Sequence, residues 1–306
     1  MSSFDVVGFG GLNVDKLFKV NKIAAAEEES FVVDFQESCG GSAANTVVGL
    51  ARLGCKAGFI GKVADDSEGN MLLDDFRREG VDTRGIIVAG RGRSGKVMGF
   101  VDYRGDRALY VEPGVNDTVG SEEINMEYVH QTKFLHLTSF VGEKSFQTQL
   151  KVVENLSKAV KISIDPGAFY ARKGLTLLGP LVKRAFVFMP NAGELELLTG
   201  KSDYKSGVEF LFKKGVQIVA VKLGSKGCYV GNRKESHSVP PLDVKVTDTT
   251  GAGDAFGAGF LYGMIRRRSL RECGLIGNFV ASRCITKMGA RTGLPTLKDL
   301  VDNNLV

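Results

Sequence analysis

Residues 248–260 read DTTGAGDAFGAGF. Three small residues, Gly251, Ala252 and Gly253, stand directly before a carboxylate, Asp254. A β-like run, Val244–Val246, leads in, and an apolar segment of helical character, Ala255–Ile265, leads out. Small residues at a strand-to-helix turn let a ligand approach the backbone closely. The first N–H groups of a helix have no intrahelical partner, and with the helix dipole they form an anion site suited to phosphate. A carboxylate is out of place in a site that only binds anions. It has a purpose if it takes the proton of a hydroxyl while the amides hold the phosphoryl group that the hydroxyl attacks. The plainer alternative is that Asp254 favours a helix start and the glycines shape the turn.

Other residues bear on the same chemistry. Asn13 and Asp15, two apart on a strand, share one face and suit recognition of vicinal hydroxyls; a pair of turn residues would look the same. Gly40 and Gly41 precede a helix spaced from Ala43 to Leu53, with Asn45 in its first turn. They admit a ligand to the backbone or serve tight packing on a sheet. In MPNAGELELLTG, Asn191 is a helix N-cap and Glu194 lies three residues on. That spacing fits a capping box and equally an acidic group aimed at a metal near phosphates. KLGSKGCYV, from Lys222, is a strand, a glycine turn and a second strand, either a plain hairpin or a nucleotide contact through Ser225 and the backbone. Two nucleotide motifs fail. A dinucleotide fingerprint beginning at Gly8 needs glycine where Asn13 stands, and Val14–Val20 alternates like a strand. GRGRSGK at 90–96 is followed by Val97 where a P-loop needs Ser or Thr.

These residues need elements to hold them. Phe4–Val7, Ala57–Val63 and Ile86–Val88 are strand-like, with a helix over Glu68–Glu79. From residue 130 strands alternate with helices: Phe134–Leu137, Lys161–Ile164, Ala185–Met189 and Ile218–Leu223, with helices near 143–160, 171–183, 191–199 and 203–214. This predicts an α/β domain, a doubly wound and mostly parallel sheet with helices on both faces. Sites in such sheets lie beyond the C-terminal ends of strands. Asp165, Asn191 with Glu194, Gly224 with Ser225, and Asp254 fall at such ends. Residues 14–37 and the hairpin Lys96–Asp102/Arg107–Val111 make about four strands without crossover helices. They predict a small β-sheet lid (14–37 and 93–112) inserted in a single domain over 1–306. A lone sheet exposes an apolar face, so it should cover substrate or a second copy, as a homodimer.

Composition narrows the class. Hydrophobic residues are 43% and charged residues 25% of the 306, values of a soluble globular protein. The formal charge of +5 is scattered, and Arg266–Arg268 sits at a helix end, so nucleic acid is not an expected partner. Five dispersed cysteines, with three histidines and no CxxC, argue against zinc and for a reducing cytoplasm. MSSFDVVGFGG carries no basic segment or cleavage pattern, and no apolar run approaches a membrane span.

In this order the motifs resemble the ribokinase-like, or PfkB, carbohydrate kinase family over nearly the whole chain. GGSAAN (40–45) resembles its first signature and DTTGAGD (248–254) its second and more specific one; GLNVD (11–15), NAGE (191–194) and LGSKG (223–227) fall in the family order. The resemblance implies ATP-dependent phosphoryl transfer to a hydroxyl of a sugar or sugar derivative, with a nucleoside kinase as the alternative. Asp254 would be the general base, and Gly251, Ala252 and Gly253 the anion hole. Asn13, Asp15, Gly40, Gly41 and Asn45 would hold the sugar. Asn191 and Glu194 would organise Mg2+ and phosphates through water. Lys222, Gly224, Ser225 and Gly227 would lie along the nucleotide and Asn278 near its base. A monovalent cation such as K+ would have carbonyls near Asp248 and Thr250 as candidates. Ribokinases usually read GGKGAN where this chain has GGSAAN, and some carry glutamate where Ser139 stands, so the acceptor need not be free ribose. Phe100, Tyr103 and Tyr110 are candidates for an aromatic lid wall against a nucleoside base.

Overall fold

The computed structural model describes residues 3–306. The strands in chain order are β1 (Phe4–Phe9), β2 (Asn13–Val20), β3 (Val32–Gly40), β4 (Ala57–Ala64), β5 (Asp82–Ala89), β6 (Gly95–Val101), β7 (Arg107–Glu112), β8 (Thr132–Leu137), β9 (Lys161–Ile164), β10 (Ala185–Phe188), β11 (Ile218–Lys222), β12 (Cys228–Asn232) and β13 (Ser236–Val239). The α-helices are α1 (Ser42–Arg52), α2 (Ser67–Arg78), α3 (Met126–His130), α4 (Glu143–Asn155), α5 (Gly167–Arg184), α6 (Ala192–Thr199), α7 (Tyr204–Lys213), α8 (Ala252–Ile265), α9 (Leu270–Cys284) and α10 (Leu297–Asp302).

Nine strands form one sheet in the order β13-β12-β11-β10-β9-β8-β1-β4-β5. From β11 to β5 all pairings are parallel, and β12 and β13 add an antiparallel edge. Side chains alternate across the sheet. Val6, Phe134, Val187 and Ala220 therefore pack with α1, α2, α8 and α9 on one face, and Val7, Leu135, Val219 and Val221 with α3 to α7 on the other. Every residue of β4 is buried, as expected of a strand covered on both faces. Helix α8 is buried without interruption from Ala255 to Gly263, which explains why its apolar residues show no stripe.

The remaining strands form a separate four-stranded sheet, β3-β2-β6-β7. It springs from the body beside the Gly40–Gly41 turn (the GG-turn), where Asn13 pairs with Gly40 and Gly95. Beyond that base it is thinly covered, and seven consecutive residues of β3 are exposed. Among the described residues no helix is long and apolar enough to cross a membrane.

One expected element is absent and one is longer. Val244–Val246 is irregular coil, not a strand, because Pro240 and Pro241 follow β13 and no neighbouring strand pairs with the segment. Helix α8 begins at Ala252 rather than Ala255, which puts Asp254 inside its first turn.

Candidate active site

The N-terminus of α8 is built around Gly251, whose φ of 76° is left-handed. A Cβ there would fall 2.6 Å from the Cβ of Ala290, so only glycine fits. The loop before it is stapled by Asp248: Oδ1 accepts from the amide and hydroxyl of Thr250, at 2.9 and 2.7 Å, and Oδ2 from the amide of Gly289 at 2.8 Å. The three expected anion-hole amides are not equivalent. Ala252 N–H donates to the Thr249 carbonyl at 3.2 Å, so the groups left to face an anion are the amides of Gly251, Gly253 and Asp254 itself.

Asp254 is held from α1. Asn45 Nδ2 donates to its Oδ2 at 2.8 Å, and Thr46 Oγ1 donates to its main-chain carbonyl at 3.2 Å. Burial pushes the carboxyl up to about 7; Asp165 pushes the same way, while the Asn45 hydrogen bond, Lys222 and Arg291 resist. A carboxyl poised there suits a group that must accept a proton at neutral pH.

Asp254 opens on a cavity of about 850 Å³. Across it, at the ends of β9 and β11, the Lys222 ammonium contacts Asp165 Oδ2. Burial works against the Lys222 charge, yet the carboxylates of Asp165 and Glu194 hold it above the ordinary lysine value. Burial and then Asp165 raise Glu194 in turn. Glu194 completes the capping box with Asn191, each side chain accepting the other's amide at 2.8 Å, and it also lines the cavity. The capping reading of NxxE is thus observed, and the same side chain lies on the cavity wall. Gly224, Ser225 and Gly227 line the same cavity, and its far wall is apolar, with Leu242, Val246, Phe256 and Ile285. Asn278 is on that wall, but its amide donates to the carbonyls of Val239 and Pro240, at 3.2 and 2.8 Å. It shapes the wall and has only its oxygen left over.

Asn13, Asp15, Gly40, Gly41 and Asn45 do not line this cavity; they join it through the Asn45–Asp254 hydrogen bond. Burial pushes Asp15 up to about 6, against the pull of Arg291. Its carboxylate lies over Gly40, where any Cβ would come within 2.2 Å of Oδ2. Two residues that the sequence did not single out, Asn116 and Arg291, complete this side, and Asp165 gains a partner on the other. Asn116 clamps the β1–β2 connection: its Oδ1 accepts from Leu12 N–H at 2.9 Å, and its Nδ2 donates to the Leu12 carbonyl and to Asn13 Oδ1. Arg291 Nε donates to Asn45 Oδ1 at 2.8 Å. Asp165, noted only as a strand end, is the partner of Lys222.

The candidate lid aromatics do not share the face of Asp15. Asp15 shares its face of the small sheet with Leu17, Val97, Gly99 and Leu109 by register. Phe100 and Tyr110 are on the opposite face, in a cluster with Phe18 and Phe35 at centroid distances of 4.9 to 5.9 Å. Tyr103 lies in the exposed turn of the hairpin. The face that carries Asp15 is aliphatic.

Among the described residues no group of three or more acidic, histidine or cysteine side chains could cage a metal ion. A divalent cation arriving with phosphates would find the carboxylates of Asp165 and Glu194 on the cavity wall. The carbonyls near Asp248 and Thr250, the candidates for a monovalent cation, belong to the loop that the Asp248 carboxylate staples to Thr250 and Gly289.

Most of the chain is similar to known proteins. A curated protein from Archaeoglobus fulgidus, described as an uncharacterized sugar kinase, is 47% identical over 255 residues, covering 82% of this chain and 100% of its own. An ATP-dependent ribose-1-phosphate kinase from Halopiger xanaduensis is 35% identical, covering 84% of this chain and 83% of its own. A ribokinase structure from Thermotoga maritima shares the fold, with a TM-score of 0.88 at 24% identity over 98% of each chain. The model of the pfkB family of carbohydrate kinases matches residues 4–297. With that match spanning both sheets and the α8 turn, the chain belongs to the pfkB carbohydrate kinases, phosphotransferases that act on an alcohol group, and within them to the ribokinase-like sugar kinases.

Proposed function

We propose that this enzyme transfers the γ-phosphoryl group of ATP to a hydroxyl of a sugar or sugar derivative, with Asp254 as the general base. One observation carries the proposal: a carboxyl raised to about 7 sits in the first turn of α8, beside outward-facing amides, at the wall of a cavity large enough for a nucleotide. ATP is supported by the apolar wall and by the name of the Halopiger relative.

In the reaction the acceptor hydroxyl oxygen attacks the γ-phosphorus, its proton passes to Asp254, and ADP leaves. The amides of Gly251 and Gly253 receive the charge that builds on the transferred phosphoryl oxygens. Lys222, fixed by Asp165, provides positive charge from the opposite wall. Asp15, Asn13, Gly40, Gly41 and the second N–H of Asn45 orient the sugar. Magnesium would neutralise phosphate charge here, with Glu194 and Asn191 facing it through water. Asn278, Gly224, Ser225 and Gly227 shape the nucleotide's seat. The small sheet is a lid that bears on the acceptor with its Asp15 face.

The test is ADP release, coupled to a reporter, over a panel of sugars, sugar phosphates and nucleosides, with Asp254→Asn in parallel. Turnover of a sugar that vanishes in the variant supports the assignment. An Asp254→Asn enzyme within a few-fold of the parent refutes it. A nucleoside acceptor is favoured by one feature, the aliphatic Leu17–Leu109 side of the lid, which a base could cover; turnover of nucleosides alone would select it. The lid also carries Phe31, Val32, Val33 and Tyr110 exposed. A homodimer through that sheet would cover them.

A further inference from the structure

The Arg291 side chain makes three polar contacts around the site. It lies in the irregular segment after α9 and is 9% exposed. Nε donates to Asn45 Oδ1 at 2.8 Å, Nη1 pairs with Asp75 Oδ2, and Nη2 reaches the Gly40 carbonyl at 3.4 Å. The guanidinium lies over the Phe76 ring at 5.8 Å, and Arg52 Nη1 holds the Arg291 carbonyl at 2.7 Å. This one side chain thus touches the first helix, α2 and the GG-turn at the base of the lid.

The direction of the Asn45 amide follows from Arg291. A guanidinium only donates hydrogen bonds, so the Asn45 atom facing it must be the oxygen. The NH2 then has to face the other way, towards Asp254, which accepts from it at 2.8 Å. Without the guanidinium the amide could turn its oxygen to a protonated Asp254, which would then donate to it and be held in the neutral form.

We infer that Arg291 is a positioning residue: it fixes the Asn45 amide, thereby sets where the Asp254 carboxylate points, and supplies the fixed positive charge behind it. The inference rests on Asp254 being the base. It extends that proposal to a side chain that meets neither acceptor nor nucleotide.

The charged surroundings are few. Asp254 faces Asp165 from the end of β9, Lys222 from the end of β11 and Arg291. Cys284 of α9 is also near, its thiol pushed up to about 12 by burial and so neutral. Arg291 faces Asp75 and Glu79 from α2 and its end, Asp15 from β2 and the Cys39 thiol from β3. Arg291 favours the ionised form of Asp254, so removing its charge must make the base harder to ionise.

The experiment is the pH dependence of kcat/KM for the acceptor, which reports the free enzyme. It is measured for the parent, Arg291→Gln, Arg291→Lys and Asp75→Asn, with thermal unfolding alongside. Arg291→Gln is expected to lower kcat/KM by ~10–100-fold, the range for losing a hydrogen bond to a charged group, and to move the acidic limb to higher pH. Arg291→Lys keeps the charge but not the fork, so the limb should stay near its parent position while the rate stays reduced. Asp75→Asn leaves the guanidinium unneutralised, so its limb should move to lower pH. If Arg291→Gln fails to fold, the Asp75→Asn limb decides: a move to lower pH supports the inference and an unmoved limb overturns it. Limbs at the parent pH in both folded variants, whatever the loss of rate, would reduce Arg291 to packing. Asp254→Asn in the same assay separates the two levels. If it stays active, the base assignment fails; if it is dead while the Arg291 limbs do not move, only the positioning role fails.

Discussion

Asp254 and Asp15 are both half-buried carboxyls that loss of solvent raises above the ordinary aspartate value, to about 7 and about 6, and Arg291 pulls both down. They differ in what carries them. Asp254 is on a helix buried from Ala255 to Gly263, in the densest part of the body. Asp15 is on β2 of a sheet whose neighbouring strand β3 is largely exposed. On the proposed roles, the group that would meet a reacting atom within tenths of an ångström is on the well-buried helix, and the group that would recognise the acceptor is on the thinly covered sheet. If this division holds, substitutions at the two positions should damage different kinetic constants.

The largest effect is expected at Asp254. Asp254→Asn keeps size and helix start but cannot take a proton, so kcat should fall by ~10²–10⁴-fold with the nucleotide KM unchanged. The same change should raise the melting temperature at pH 8. A carboxyl whose folded-state value is raised favours folding at acid pH and loses that contribution as pH rises through about 7, so the variant escapes a cost the parent bears when ionised. The gain should shrink at pH 5; a gain independent of pH would show that burial is not what raises Asp254.

Asp15→Asn should instead raise the acceptor KM by ~10–100-fold, with kcat within a few-fold, because the loss is of charge-assisted hydrogen bonds to substrate. A fall in kcat equal to that of Asp254→Asn would erase the distinction between the two carboxyls. For the parent, kcat/KM should climb as pH rises through about 6 to about 7, since both groups act ionised. Glu194→Gln should raise the magnesium concentration for half-maximal rate by ~10-fold and leave the acceptor KM alone; an unchanged magnesium response would leave Glu194 as a helix cap only. The smallest effect on chemistry belongs to the outer lid. Phe35→Ser should shift a dimer towards monomer in sedimentation while changing kcat by less than ~3-fold. A parent that sediments as a monomer at micromolar concentration would remove the dimer.

What was legible in the sequence follows the same division. The α8 turn could be read because its parts are contiguous: residues 248–254 carry the staple, the glycine with left-handed φ and the carboxylate together. The alternation of strands and helices from residue 130 held for the same reason, each unit being local. The β-like run Val244–Val246 misled because valine suits strands only when a neighbour offers hydrogen bonds, and here the chain lines the cavity instead. Arg291, Asn116 and the Asp165–Lys222 pair were illegible because their partners lie 246, 104 and 57 residues away. The facing of Phe100 and Tyr110 depends on the register of β6 against β2, which is set across an intervening domain body.

The tie between residues 289–291 and the rest of the site has a consequence for how the enzyme comes into being. Gly289 fastens Asp248, Ala290 backs Gly251, and Arg291 orients Asn45, yet these three are synthesised after every strand of both sheets. A ribosome-bound chain can assemble its sheets and close a pocket long before it owns a competent base. On the proposed roles, the growing polypeptide would own a positioned base only once this short segment packs against α1 and the start of α8.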